Sequence, residues 1–190
     1  MKFFSLRDNT WNTIETIEGT PSSYSDASRT REAWLLYNTA IHWLACRDDL
    51  LKDVILAFDL MERKLFEISL PDDFDHEHKH CDLWVFGKLI SLWAMNYNNY
   101  TIEIWVMKEY KVHSSWTKTL VLSVDGISTV YVSPICSTKR GDIIGTVGNG
   151  VMVKFDNKGQ LLEHCSCRKN GYLSLVVMYT ESLLSFPSDN

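Results

Sequence analysis

The stretch Thr101–Leu122 reads TIEIWVMKEYKVHSSWTKTLVL. Its first part, Thr101–Met107, is dense in β-branched and aromatic residues, which suit a packed, pleated surface. Lys108–Ser114 is charged and polar and reads as a link. Ser115–Leu122 carries Trp116 and then Thr117, Lys118, Thr119 and Leu120. The pattern predicts a β-hairpin. An isolated hairpin is marginal in water, so this one requires a larger sheet.

Similar units precede and follow it. Lys2–Leu6 and Trp11–Ile17 read as strands around the polar turn Arg7–Thr10. After a Ser/Thr/Pro/Asp-rich loop from Gly19 to Arg31 come short strands at Trp34–Tyr37 and Ile41–Cys46, then a hairpin of Val54–Leu60 and Leu65–Leu70. Pro71 stops it, because proline cannot extend a central strand. Leu83–Phe86 and Leu89–Met95 pair around Gly87-Lys88 and lead into the opening hairpin. Ser123–Val132 is ambiguous, and Ser133–Arg140, interrupted by Pro134, reads as loop. Ile143–Val147, Val151–Phe155 and Leu161–Cys165 then form a meander, followed by the apolar stretch Tyr172–Tyr179.

Aligned on an aromatic of each hairpin's first strand, Phe3, Phe58, Trp105 and Phe155 are spaced by 55, 47 and 50 residues. The return strands carry Trp11, Phe66, Trp116 and Leu161. Four short strands per roughly 50 residues, in meander order, is the period of a β-propeller blade. Stacked blades cover both faces of each sheet, which explains continuous apolar runs such as VILAF at 54–58. A β-sandwich with short, even strands is the competing all-β solution. The expected fold is therefore all-β: a partial β-propeller-like (kelch-like) array of about three to four blades of short antiparallel strands. It forms one domain over residues 1–190, with a half-blade at 1–18 and blades at about 32–71, 82–122 and 141–186. Trp11 and Trp116, at repeat positions, are expected in the core. A blade face left uncovered predicts poor solubility or loose folding of these residues by themselves.

The totals restrict function. Hydrophobic residues are 45% and charged residues 23%, which suits a globular protein with one substantial core. The formal charge is −5, and no Lys/Arg run offers a footprint for nucleic acid. No apolar run reaches a membrane span, and the start MKFFSLRDNTW is too short for a signal peptide. Five cysteines lack a disulfide-framework spacing, which points to a reducing cytoplasmic or nuclear setting. No nucleic-acid and no membrane partner is expected.

Chemistry-bearing clusters are weak. His76, His78 and His80 would share one side of an extended loop, yet three alternating imidazoles there lack supporting partners, so a solvated loop is expected. His164, Cys165 and Cys167 have no second ligand pair. His42 and Cys46 are too far apart on one strand for a nucleophile–base pair. The glycine-rich 145–150 leads into a strand rather than a helix, so it reads as a turn instead of a phosphate loop. Asp59, Glu62, Asp156 and Glu163 fall in turns and on strand edges, with no paired acid and base. A propeller enzyme such as a glycosidase or lactonase is the reading these carboxylates would need. The expectation is no catalytic residue, no metal and no cofactor. Trp34, Trp43, Trp84 and Trp93 are undecided between core and contact surface, and the loops Asp72–His80, Asn96–Tyr100 and Thr138–Asp142 are the candidate binding loops.

The segments AIHWLAC (40–46), VILAFDLMERKLFEISLP (54–71), IEIWVMKEYKVHSSWTKTL (102–120) and YTESLLSFP (179–187) together resemble the F-box-associated domain of plant F-box proteins, the C-terminal region of F-box/kelch-like proteins. FFSLRDNTW at 3–11 is similar to the start of that region, and the YTESL ending is shared with S-locus F-box-like relatives. The resemblance covers nearly the whole chain. It implies a module that recognises a target protein for an SCF-type ubiquitin ligase, whose F-box docks on the Skp1 adaptor of a cullin complex. The F-box itself has no counterpart here, so Skp1 and cullin are expected partners only if one is supplied upstream. The alternative is a stand-alone protein-interaction module without ligase coupling. Where relatives have Asn-Gly in an inner hairpin, this chain has Asn38-Thr39, a less favourable turn.

Overall fold

The computed structural model describes residues 2–5, 9–13, 24–26, 34–74, 80–124, 127, 132–147 and 151–166. Strands β1 (Lys2–Ser5) and β2 (Thr10–Thr13) form a two-stranded ribbon. The second sheet holds β3 (Tyr24–Asp26), β4 (Leu35–Tyr37), β5 (Ala40–Arg47), β6 (Lys52–Asp59) and β7 (Lys64–Ser69). Its order is β3-β5-β6-β7, with β4 also on β5. Here β4 pairs with residues 40–42 and β3 with 45–47, so two short strands share one edge. The third sheet is the meander β8 (Cys81–Phe86), β9 (Leu89–Asn96), β10 (Thr101–Met107) and β11 (Trp116–Ser123). The fourth is β12 (Val132–Ser137), β13 (Ile143–Val147), β14 (Val151–Phe155) and β15 (Leu161–Ser166). All pairings are antiparallel. The array is all-β and propeller-like, as the repeat predicts.

Two strands depart from the sequence reading. Val132–Ser137, expected as ambiguous residues and loop, is the edge strand of the fourth sheet. Pro134 is tolerated because the strand lies at an edge and the ladder shifts register between Pro134 and Cys136. Tyr24–Asp26 lies in the stretch read as loop, yet pairs with the far end of β5. The apolar stretch Tyr172–Tyr179 and the closing YTESL lie outside the described residues.

The core forms between sheets because strand side chains alternate. From β10, Ile102, Ile104 and Val106 pack with Val132, Ile143, Val147, Val153 and Phe155 of the fourth sheet. From the other face, Trp105 and Met107 pack with Leu44, Ile55, Ile68, Leu70 and Phe74 of the second sheet and its exit. Both faces are dry, and each such Ile or Leu contributes about 1.5–3 kcal/mol. The repeated aromatics behave alike: Phe58, Trp105 and Phe155 are 5%, 5% and 0% exposed. Trp105 and Phe155 each face the preceding sheet, and Phe58 lies on the face of the second sheet turned away from the third. The return-strand positions differ. Phe66, Trp116 and Leu161 are half-buried and pack against these clusters. Trp11, expected in the core, is 71% exposed.

Polar ties repeat from blade to blade as well. At the outer edge, Trp116 Nε1 donates to Ser69 O (3.0 Å) and His113 Nε2 donates to Leu70 O (2.9 Å). One blade further on, Ser123 N donates to Gly159 O (3.1 Å). Each outer hairpin thus clasps the exit of the outer strand before it. Gly159 has φ +87, and a Cβ there would sit 2.0 Å from Val121 O, so only glycine permits the second clasp. At the inner edge, Tyr37 Oη donates to Lys88 O (3.2 Å), and Gly87 N donates to Ser137 Oγ (3.2 Å).

Candidate interaction surface

Antiparallel order sends successive turns to opposite ends of the array. One end, the hairpin end, carries residues 38–39, 60–63, 87–88, 108–115, 138–142 and 156–160. The other, the crossover end, carries residues 48–51 and 97–100, while the exit of β7 at 70–72 lies at the rim, in reach of His113 of the turn 108–115. The three expected binding loops therefore do not form one surface. Of Asp72–His80, residues 75–79 lie outside the described residues; His80 meets Asn96–Tyr100 at the crossover end, where Tyr97 Oη contacts His80 Nδ1 and Met95 N donates to His80 O (2.9 Å). Thr138–Asp142 lies at the hairpin end, beside Gly87.

The hairpin end is held rigidly. Asn38 and Thr39 have φ of 45° and 62°, as the tight two-residue hairpin turn demands. Thr39 O accepts from Leu60 N (3.0 Å), which joins the inner and outer turns of the second sheet. Gly87 and Gly141 also have positive φ. Thr138 closes its own turn, with Thr138 N on Asp142 O (2.8 Å) and Asp142 N on Thr138 Oγ1 (3.1 Å). Asp59 accepts from the backbone N–H groups of Met61 and Glu62, which holds its carboxyl below the usual range. Asp156 does the same with Gln160 and Lys158, with the same consequence. Asp142 pairs with Lys154 at 3.3 Å.

The two ends differ in charge. At the crossover end Asp48 and Asp49 are exposed, and Arg47 bridges Asp49 (3.0 Å) and Glu67 (3.4 Å); Asp72, also exposed, lies at the rim 3.5 Å from His113 Nε2 of the turn 108–115. At the hairpin end Lys88, Lys108, Lys139 and Arg140 are exposed, and among the described residues no carboxylate lies within ion-pair distance of them. Glu62 and Glu109 are the exposed carboxylates beside them.

The remaining expected residues take structural places. His42 is fully buried: Nδ1–H donates to Leu35 O (3.3 Å) and Nε2 accepts from Tyr110 Oη (2.8 Å). Burial holds the imidazole neutral by lowering its pKa, and it pushes the Tyr110 phenol up to about 12. This pair joins the second and third sheets, and Cys46 plays no part in it. Burial raises the Cys46 thiol, away from the thiolate a nucleophile needs. Glu62, Glu163, His164 and Cys165 are exposed, and His76, His78, Cys167 and Gly148–Gly150 lie outside the described residues. Gly145 sits in β13, where a Cβ would meet Ser133 O at 3.0 Å. Trp84 and Trp93 are core residues, Trp43 is half-buried, and Trp34, 63% exposed, lies against it with ring centroids 6.1 Å apart. Sequence reading missed Asp82, whose carboxyl burial pushes up to about 7 although Leu83 N–H donates to it (2.7 Å). Among the described residues, no group of three or more His, Cys, Asp and Glu could hold a metal ion. No helix among them is long and apolar enough to cross a membrane.

Comparison with known proteins agrees with this architecture. The family model described as the F-box associated beta propeller domain matches residues 1–185. The chain is 27% identical to F-box protein At4g22390 of Arabidopsis thaliana over 200 residues, covering 100% of this chain and 49% of that protein. It is 27% identical to F-box protein CPR1 of Arabidopsis thaliana over 169 residues, covering 82% of this chain and 40% of that protein. The chain thus spans half or less of the length of these relatives. Its blade repeat, its stacked antiparallel sheets and the family match over nearly every residue make it a member of the F-box-associated β-propeller domain family.

Proposed function

We propose that this domain is the target-holding part of an F-box protein, presenting a bound protein for ubiquitination by an SCF-type ligase. The observation that carries this reading is the family match over residues 1–185, together with two relatives that are both F-box proteins. The fold supports it: stacked sheets clasped at both edges make a stiff platform, and the exposed turns at its ends offer a contact surface. Binding, and not catalysis, is the assigned task. Contact with Skp1 and cullin belongs to an F-box segment. The five cysteines lack a disulfide-framework spacing, which fits a cytoplasmic or nuclear setting.

The test has two steps. Proteins captured from a plant extract on the intact chain are identified, purified and rebound individually by calorimetry. At least one is expected to rebind at one-to-one stoichiometry. Then the chain, joined behind an F-box segment and mixed with adaptor, cullin and ubiquitin-loading enzymes, is expected to ubiquitinate that protein. Failure of every purified candidate to rebind refutes the target-holding role. Rebinding without F-box-dependent ubiquitination refutes the ligase coupling alone and leaves a stand-alone interaction module.

A further inference from the structure

The hairpin end carries cations on a chain that is acidic overall, with a formal charge of −5. Lys88, Lys139 and Arg140 project from inner turns that touch each other, since Gly87 N donates to Ser137 Oγ. Lys108 adds a fourth cation from the outer hairpin of the same sheet as Lys88. Of the carboxylates at this end, Asp59 and Asp156 bind their own turns and Asp142 binds Lys154, while the exposed Glu62 and Glu109 lie beside the four cations without an ion pair to any of them among the described residues. Four exposed cations against two exposed carboxylates leave this end positive, and a negative partner relieves the repulsion among the cations. Leu60 and Met61, 43% and 79% exposed, flank them in the turn tied to Thr39. The crossover end, with Asp48 and Asp49 exposed in its turn 48–51, repels the same partner.

We infer that the hairpin end is the docking face for the target, and that the target offers an acidic segment, rich in Asp and Glu with interspersed aliphatic residues. This inference rests on the target-holding role proposed above and names the surface and the chemistry that fill it. The carboxylates would meet Lys88, Lys139, Arg140 and Lys108, and the aliphatic side chains would cover Leu60 and Met61. Rigid turns favour such a contact, because little ordering entropy is lost on binding.

The test uses the intact chain and a fluorescein-labelled peptide of alternating Asp/Glu and Leu, read by anisotropy. A Lys/Leu peptide of equal length and a single-stranded DNA of equal charge serve as comparisons. The acidic peptide is expected to bind best and to weaken as salt is raised. The K88Q/K139Q/R140Q variant is expected to bind it about tenfold more weakly, whereas K52Q, at the opposite end, binds as the parent does. All three positions are exposed, so unchanged thermal melting is expected and separates lost contact from lost fold. The inference is overturned if the triple variant binds like the parent, if the Lys/Leu peptide binds as well, or if the DNA binds more tightly than the peptide. A purified target that rebinds equally to the triple variant removes this docking face while leaving the target-holding role intact. Peptide binding that depends on the three cations, with no target protein found, supports the surface and refutes that role.

Discussion

Replacing Trp116 tests whether the outer clasp or packing alone ties the second blade to the third. The indole is half-buried, packs on the cluster between the two sheets, and donates Nε1–H to Ser69 O at 3.0 Å. A net hydrogen bond of this kind is worth about 1 kcal/mol. Complete truncation of a fully buried tryptophan costs about 3–5 kcal/mol, so half-burial lowers the packing share to about 2. Trp116→Phe keeps most of the ring contact and removes the bond, so it is expected to cost about 1 kcal/mol. Trp116→Ala removes both and is expected to cost about 2–3 kcal/mol. For a chain of this size these values correspond to about 2–4 °C in Tm for the phenylalanine variant and about 4–12 °C for alanine. Urea unfolding followed by far-ultraviolet circular dichroism measures both, with unchanged m-values as the check on two-state behaviour. His113 donates to the neighbouring Leu70 O at 2.9 Å, so a His113→Ala/Trp116→Phe cycle is expected to show coupling of about 0.5 kcal/mol or more. If Trp116→Phe is as stable as the parent while Trp116→Ala is strongly destabilised, the clasp contributes nothing and the reasoning is refuted. If both are silent, the inter-blade role of the hairpin is refuted altogether.

Other substitutions probe the same architecture. Gly159→Ala drives a Cβ into Val121 O and is expected to cost more than about 2 kcal/mol, whereas Gly87→Ala, with similar positive φ but open space, is expected to cost about 1; chemical denaturation of the pair decides this, and equal costs would refute the close-approach argument. Thr39→Gly relieves a β-branched residue at φ 62° and is expected to stabilise by about 0.5–1 kcal/mol, read as a raised urea midpoint; a lowered midpoint refutes the strain. Asp82 has a folded pKa of about 7, above its ordinary value of 3.8. Between these two values the folded chain holds the proton and the unfolded chain does not, so this group's contribution to stability falls as pH rises from 4 towards 7. Asp82→Asn is therefore expected to gain stability relative to the parent at pH 8 and to lose that advantage near pH 4, by thermal melting; a pH-independent difference refutes the burial argument.

The hairpin Thr101–Leu122 was legible because local composition and alternation coincide there. Trp105 and Phe155 repeat at blade spacing because each fills the gap to the preceding sheet, and Phe58 is buried at the matching position of the second sheet. Val132–Ser137 was hidden because an inner edge strand pairs on one side only and tolerates Pro134, so it carries no continuous apolar run. Tyr24–Asp26 was hidden because a three-residue strand in polar composition is specified by the far end of β5, not by its own residues. Trp11 shows the limit of alignment: a shared position in a repeat does not ensure burial, and this indole is 71% exposed. The loop Thr138–Asp142 was legible as a binding candidate, but its company was not. Lys88, Lys108, Lys139 and Arg140 lie far apart in the chain, and only sheet stacking brings their turns to one end.

By itself, then, the sequence determined what is local and periodic: all-β content, the blade repeat, the aromatic positions, most strand limits and the family likeness. Only the tertiary structure decided which turns share an end, which carboxylates are consumed by their own turns, and which side chains bridge blades. The physical reason is range. Alternation and turn chemistry act within a few residues, whereas the clasps from Trp116 to Ser69 and from Ser123 to Gly159, and the separation of charge between the two ends, exist only once whole sheets have stacked.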